Sequence, residues 1–256
     1  MKTMEYSRRF GGITRLYGEH ALVRANAAHV VVIGIGGVGS WAVEALARSG
    51  IGQLSLIDLD HINESNINRQ IHALDKTLGA SKCLAMKDRI ADINPDCVVN
   101  VIEEFIDENN VAALVSQCDV VIDAIDNVRA KAALIAHCRQ AKIRIITTGA
   151  AGGRIDPTRI EVIDLSRTVQ DALASKVRAH LRKAYGFPRD PKLKFGVDCV
   201  FSPEQLVARR PASTNSDEPE FDGAAGLACA GYGSSVAVTA GFGFAAAATA
   251  LSGLLQ

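Results

Sequence analysis

Short apolar runs alternate with longer amphipathic stretches through the first two thirds of the chain. Val30–Gly34 (V-V-V-I-G), Gln53–Asp58 (Q-L-S-L-I-D), Cys97–Ile102, Asp119–Ala124 (D-V-V-I-D-A) and Lys142–Thr148 have the length and composition of strands. Between them, Val38–Ser49, a helix opened by Gly79-Ala80-Ser81-Lys82, the turn Val111–Ser116 and Val128–Gln140 read as helical. Asp119–Ala124 is apolar on both faces, as in a parallel sheet covered on both sides. The alternation is steady over residues 25–165 and predicts an α/β domain. After it, Arg159–Leu165 is a strand that leaves the pattern. Thr168–Tyr185 reads as a helix, Val197–Phe201 as a short strand and Val236–Leu254 as an apolar helix. Arg209–Asp222 has loop composition with little to bury, and a mobile flap is expected there. The leader, residues 1–24, holds Arg8, Arg9 and Arg15 around a Gly11-Gly12 break and is expected to be helical from Tyr17 to Arg24. Residues 166–256 are expected to be a C-terminal extension packed on the same core.

The totals narrow the function classes. With 256 residues, 48% of them apolar, the chain can bury a sizeable core. The 28 basic and 28 acidic residues balance, so any nucleic-acid surface must be a local patch. One basic cluster exists: Lys176, Arg178, Arg182, Lys183, Arg189, Lys192 and Lys194 against Asp190 alone. It is either a solvated face or a contact for RNA phosphates. The six cysteines at 83, 97, 118, 138, 199 and 229 form no C-x-x-C pair, against a zinc knuckle or thioredoxin-type motif. The N-terminus, M-K-T-M-E-Y-S-R-R-F, lacks the apolar core of a signal peptide, so a cytoplasmic setting with free thiols is expected. Cys229–Gln256 carries no charge and is long enough for a membrane helix. Its Gly, Ala, Ser and Thr content and its lack of Lys/Arg anchors favour close packing on the core or a second subunit over membrane contact.

The candidate chemistry begins at Val30–Ser40. Gly34, Gly36 and Gly39 fit G-x-G-x-x-G, a strand-to-helix turn that lays a phosphate on a helix N-terminus. This makes the α/β domain Rossmann-like, a doubly wound and mostly parallel sheet. Asp58 lies 24 residues beyond Gly34, where that fold places a carboxylate on ribose hydroxyls. A nicotinamide dehydrogenase stops fitting at Asp58–Arg69 (D-L-D-H-I-N-E-S-N-I-N-R), a polar loop with Asp60, Asn66 and Arg69 suited to ring a triphosphate. Lys82 brings an ammonium toward the same place. Asp126, at the tip of the fourth strand, is the candidate magnesium ligand; Asp126 or Asn127 is alternatively the cap of the next helix. Cys229 sits in the glycine-rich stretch Gly226–Gly233, as a thioester-forming nucleophile or a packed loop residue.

The set G-I-G-G-V-G (34–39), D-L-D (58–60), S-N-I-N-R-Q (65–70), Lys82 and D-A-I-D-N (123–127) resembles the ubiquitin-activating-like (ThiF/MoeB-type) adenylating superfamily. Within it, R-F-G-G-I-T-R-L-Y-G (9–18), N-R-Q-I-H-A-L (68–74), T-T-G-A-A-G-G-R-I-D-P-T (147–158) and G-V-D-C-V-F-S (196–202) resemble the branch that dehydrates threonylcarbamoyladenosine in tRNA. The resemblance covers nearly the whole chain. It implies ATP and magnesium, a homodimer, and a threonylcarbamoyl-modified tRNA as substrate. It assigns Gly37, Asp58, Asn66, Arg69, Lys82, Asp126 and Asn127 to ATP or its metal. A monovalent cation (K+ or Na+) ordering the glycine-rich loops is left open. Sulfur-carrier activators of this superfamily keep an Arg where this chain has Gly11-Gly12, with Arg15 the nearest substitute, and usually carry paired C-x-x-C zinc sites. Activation of a sulfur-carrier or cysteine-desulfurase partner therefore stands second. A nicotinamide oxidoreductase and a non-catalytic nucleotide-binding module come after it.

Overall fold

Val30 and Val32 face one side of the central strand, while Val31 and Ile33 face the other, and each pair enters a different hydrophobic core. The computed structural model describes residues 4–206 and 232–256. Its strands are β1 (His29–Ile33), β2 (Gln53–Ile57), β3 (Val98–Ile102), β4 (Val120–Asp123), β5 (Arg144–Thr148), β6 (Glu161–Asp164) and β7 (Asp198–Phe201). They form one sheet in the order β3-β2-β1-β4-β5-β7-β6. All neighbours pair parallel except β6, which runs antiparallel to β7. The expected Rossmann-like, mostly parallel sheet is thus present. The segment after residue 165 contributes β7 to the same sheet, between β5 and β6. The chain order reverses between β1 and β4, which opens a crevice at the carboxyl ends of those strands.

Helices α1 (Met4–Tyr17), α2 (Ala21–Ala27), α3 (Gly39–Arg48), α4 (Lys82–Ile93), α5 (Val111–Leu114), α6 (Val128–Ala141), α7 (Ala172–Ala184) and α8 (Val236–Leu255) cover the sheet. Residues of α2, α3, α4 and α8 fill one core, and residues of α5, α6 and α7 fill the other. The leader departs from expectation. A continuous helix runs through Gly11-Gly12, and the chain breaks at Gly18 instead. Tyr6 and Phe10, one turn apart and 4.9 Å between ring centroids, are buried, and the Tyr6 hydroxyl donates to the Gly50 carbonyl. Burying two aromatic side chains contributes roughly 1.5–3 kcal/mol each, more than the ~1 kcal/mol that a helical glycine costs. Helix α7 starts four residues later than the sequence suggests, because Gln170 adopts φ 52 and Asp171 caps the helix by accepting from the Ala174 N–H at 2.9 Å.

Helix α8 has a mean hydropathy of 1.6, and its length and composition would cross a membrane, yet over half of that stretch is buried inside the fold. Phe242, Ala246, Ala247 and Ala250 are fully covered. Gly243 lets α8 approach the start of α3: a Cβ there would stand 2.5 Å from the Val38 carbonyl oxygen. The apolar terminal helix is thus a core element that supports the turn beneath the crevice. The proposed flap at Arg209–Asp222 and Cys229 lie outside the described residues.

Candidate functional site

The crevice holds a cavity of about 720 Å³, within the roughly 300–1,000 Å³ range of small-molecule sites. Gly34, Gly36, Gly37 and Val38 form its floor, and α3 begins there. The backbone at Gly34 has φ 86, and a Cβ there would lie 2.8 Å from the Ala124 carbonyl oxygen, so the β1 turn can pass β4 only as glycine. A Cβ on Gly39 would sit 1.9 Å from the Gly34 carbonyl oxygen; this third glycine packs helix on turn and does not line the cavity. Side chains cap α4, α6 and α7 through Ser81, Asn127 and Asp171, whereas Val38 offers α3 no side-chain cap. The first N–H groups of a helix have no intrahelical partner. At α3 the Ser40 N–H donates back to the Gly36 carbonyl at 3.1 Å, so an anion in the cavity would meet the helix dipole and the remaining N–H groups of the first turn.

Two buried side chains fix the residue in the middle of that turn. The Ile35 N–H donates to Asp58 Oδ2 at 2.6 Å, and His72 Nε2 lies 2.8 Å from the Ile35 carbonyl oxygen. Only a protonated Nε2 can donate there, so His72 is the neutral Nε2–H tautomer, and its buried Nδ1 has no partner among the described residues. Burial lowers the His72 pKa to about 4, and the charges of Lys82 and Arg89 push the same way. Asp58 also accepts the Asp60 N–H at 2.9 Å, and burial raises its pKa against the opposing pull of Lys82. The acid expected at the ribose hydroxyls thus has both oxygens on backbone N–H groups while its residue still lines the cavity.

Around the rim, Lys82 Nζ lies 2.7 Å from Asp60 Oδ2, with the lysine side chain 8% exposed and the aspartate 52%. Arg69 drapes its side chain over Gly37 and donates to the Ser65 carbonyl at 2.7 Å and to Asn68 Oδ1 at 2.9 Å. The Arg69 carbonyl in turn accepts from the Trp41 indole at 2.9 Å, which ties this loop to α3. Asn66 is buried, and its Oδ1 accepts the Asn63 N–H at 3.1 Å, so part of its work is to shape the loop. On the opposite wall, Asp126 lines the cavity just after β4. Asn127 is the residue that caps α6, with Oδ1 accepting from the Arg129 and Ala130 N–H groups at 3.0 and 3.1 Å. The β4 tip is anchored from beneath. Asp123 and Lys131, both buried, pair at 2.8 Å, and the Thr147 hydroxyl donates to Asp123 Oδ2 at 2.6 Å. Such a satisfied buried network holds one geometry.

The structure therefore brings Gly34, Gly36, Gly37, Asp58, Asp60, Asn66, Arg69, Lys82, Asp126 and Asn127 to one cavity. Arg15, exposed in the last turn of α1, is not among the described residues lining it. Sequence reasoning missed Gln70, Phe105, Thr148 and Ser234 in the lining and His72 beneath it. His72 lies inside the N-R-Q-I-H-A-L motif, but nothing in its type or spacing says that it holds a carbonyl. Burial pushes the thiols of Cys83 and Cys138 up to about 12 and that of Cys118 to about 11, so none of these is a ready thiolate.

Known proteins match this chain in sequence and fold over nearly its whole length. The ThiF family model matches residues 6–244. A tRNA threonylcarbamoyladenosine dehydratase from Haemophilus influenzae is 50% identical over 253 residues, covering 98% of this chain and 95% of that protein. The crystal structure of E. coli tRNA N6-threonylcarbamoyladenosine dehydratase, TcdA, in complex with ATP superposes with a TM-score of 0.89 at 48% identity, covering 99% of this chain and 96% of that one. Its complex with AMP gives a TM-score of 0.88 at 49% identity, covering 98% and 96%. A family model that matches from α1 into α8, with a relative half identical along nearly the whole chain, makes this protein a member of the ThiF family.

Proposed function

We propose that this protein is an ATP-dependent dehydratase that cyclises threonylcarbamoyladenosine in tRNA through an acyl-adenylate. One juxtaposition supports the reading most directly. The uncapped start of α3, Arg69 and Lys82 face Asp126 across one cavity, in a chain half identical to a dehydratase of that name along nearly its whole length.

The substrate carboxylate is a poor electrophile, since its leaving group would be oxide. Attack of one carboxylate oxygen on the α-phosphate of ATP forms an O–P bond and breaks the bond to pyrophosphate. The α3 N-terminus, Arg69 and Lys82 stabilise the charge that grows on the departing phosphates; Lys82 does so by exchanging Asp60 for phosphate. The described residues hold no cluster of three His, Cys, Asp or Glu side chains able to cage a metal. Asp126, on a cavity that Asp58, Asp60 and Glu104 also line, suits magnesium, which takes one or two carboxylates beside substrate phosphates and water. When bound, magnesium would supply Lewis-acid neutralisation of those phosphates.

The carbamoyl nitrogen of the same substrate then attacks the activated carbonyl carbon. The C–N bond closes the ring, the C–O bond to AMP breaks, and the nitrogen gives up its proton. Because the nucleophile is tethered, a high effective molarity is available and no protein nucleophile is required. Cys229, outside the described residues, is assigned no covalent role in this scheme.

A homodimer belongs to the same proposal. Leu16 is 74% exposed and Val23 69% exposed, apolar surface that a second copy of the chain would cover. Arg15, next to Leu16, is then placed at the subunit boundary rather than in its own cavity. The cytoplasm, where tRNA is modified, is the compartment implied. The test is product analysis with threonylcarbamoyl-modified tRNA: AMP and pyrophosphate should appear one for one with cyclised nucleoside. Formation of ADP and phosphate in their place would refute adenylation.

A further inference from the structure

We infer that the exposed edge of α7 and the turn after it, residues 186–194, carry the phosphate backbone of the tRNA arm whose base enters the cavity. This rests on the tRNA reading above and extends it to a surface outside the nucleotide site.

Of the seven cations between Lys176 and Lys194, two serve the scaffold. Arg178, half-buried, donates to the Thr168 hydroxyl. Arg182 donates to the Pro188 carbonyl at 3.1 Å and lies 5.3 Å from the Phe195 ring centroid. The other five, Lys176, Lys183, Arg189, Lys192 and Lys194, are exposed, and none forms an ion pair among the described residues. Asp190, the one acid in the run, accepts the Lys192 N–H at 2.8 Å and so closes its own turn. Glu108, an acid that reaches α7 from outside the run, accepts from the Tyr185 hydroxyl at 3.2 Å at the far end of the helix.

The solvent side of α7 is Ala172, Ser175, Lys176, Ala179 and Lys183, all exposed. Small side chains there leave room for a bulky backbone, and the two lysines lie two turns apart, about 10 Å along the axis. The direction of the helix links this surface to the cavity. Asp171 Oδ2 accepts the Ala150 N–H at 3.0 Å, which ties the helix start to the glycine-rich corner, and Leu173 lines the cavity wall. From that wall the cations follow outward, Lys183 about 18 Å from the cap at roughly 1.5 Å per residue. The chain as a whole is neutral, so a polyanion needs such a local surface.

The test compares Lys183→Glu/Lys192→Glu with Lys76→Glu/Lys87→Glu, the same charge change at exposed positions elsewhere. For the first variant, KM for modified tRNA should rise at least about tenfold. Its kcat at saturating tRNA and its KM for ATP should stay within about twofold of wild type. The slope of log Kd against log salt, titrated with an anticodon-arm RNA, should fall by roughly 0.7–0.9 for each phosphate no longer neutralised. The control pair should match wild type in every readout. An unchanged KM and salt slope in Lys183→Glu/Lys192→Glu would overturn the surface and leave a solvated charged face. A wild type that binds the RNA arm but cyclises nothing would refute the dehydratase reading, and the titration would still decide the surface on its own. Unaltered RNA binding, with weakened binding of an acidic protein instead, would reassign the patch to a protein partner.

Discussion

His72 Nε2 lies 2.8 Å from the carbonyl oxygen of Ile35, and this hydrogen bond fixes the plane of the peptide that leads into the nucleotide turn. With Asp58 on the N–H of the same residue, both polar groups of Ile35 are held by side chains from outside the turn. The geometry of the turn is thus set before any ligand arrives.

Replacing His72 by Ala leaves a buried carbonyl unpaired, at a cost of about 1–3 kcal/mol. His72→Gln keeps an N–H donor of similar reach. Urea unfolding at pH 7 should show the loss in the alanine variant and a substantial recovery in the glutamine variant, with ATP affinity moving in the same order. Equal stability of all three proteins would remove the clamp.

The same histidine gives stability a pH signature. Unfolded, it takes a proton near 6.5; folded, it resists protonation down to about 4. Its contribution is therefore complete above pH 6.5 and drains as pH falls from 6.5 toward 4, where the unfolded chain binds the proton that the fold excludes. Asp58, whose pKa is raised, works in the opposite direction and gains as pH falls. The wild-type unfolding midpoint should drop more between pH 7 and pH 5 than that of His72→Gln. Identical drops would show that His72 is not the group responsible.

Lys82→Ala should lower kcat by about 10²–10³, the loss typical when a donor aimed at developing phosphate charge is removed. Asp60→Ala frees Lys82 from its 2.7 Å partner and should change kcat by less than about tenfold. Steady-state kinetics of pyrophosphate release separates the two. A larger effect at Asp60 than at Lys82 would reverse their assigned roles.

Gly243→Ala tests how α8 supports the site. The added methyl would meet the Val38 carbonyl oxygen at 2.5 Å and the Ala42 nitrogen at 2.9 Å, both backbone atoms. Overpacking of this kind costs about 1–3 kcal/mol, so Tm should fall. The ATP Kd should rise as well, because Val38 opens α3. A lower Tm with an unchanged Kd would mean that α8 stabilises the fold without shaping the turn.

Much of this architecture was legible because the signals were local. The apolar runs of β1, β2 and β4, the glycines of the turn and the opening of α4 at Gly79-Ala80-Ser81-Lys82 each declare themselves within a few residues. Helix α1 did not, because Gly11-Gly12 carries a local breaking signal, and the anchoring of Tyr6 and Phe10 beside Gly50 is tertiary. Asp58 was legible as a site acid by its spacing, but its role on the Ile35 N–H depends on a residue 23 positions away. His72 and Phe105 left no periodic trace, since each acts by where the fold places it.

The most direct measurement of the central claim is mass spectrometry of tRNA nucleosides. Threonylcarbamoyl-modified tRNA whose carboxylate carries ¹⁸O would be incubated with the protein, ATP and magnesium, then digested under mild conditions that keep a labile ring closed. The expected result is a modified adenosine lighter by the elements of water only when ATP is present, with one ¹⁸O recovered in AMP, and the same outcome with Cys229→Ala. An unchanged nucleoside mass in protein shown to bind ATP, or AMP without label, would contradict dehydration through an acyl-adenylate.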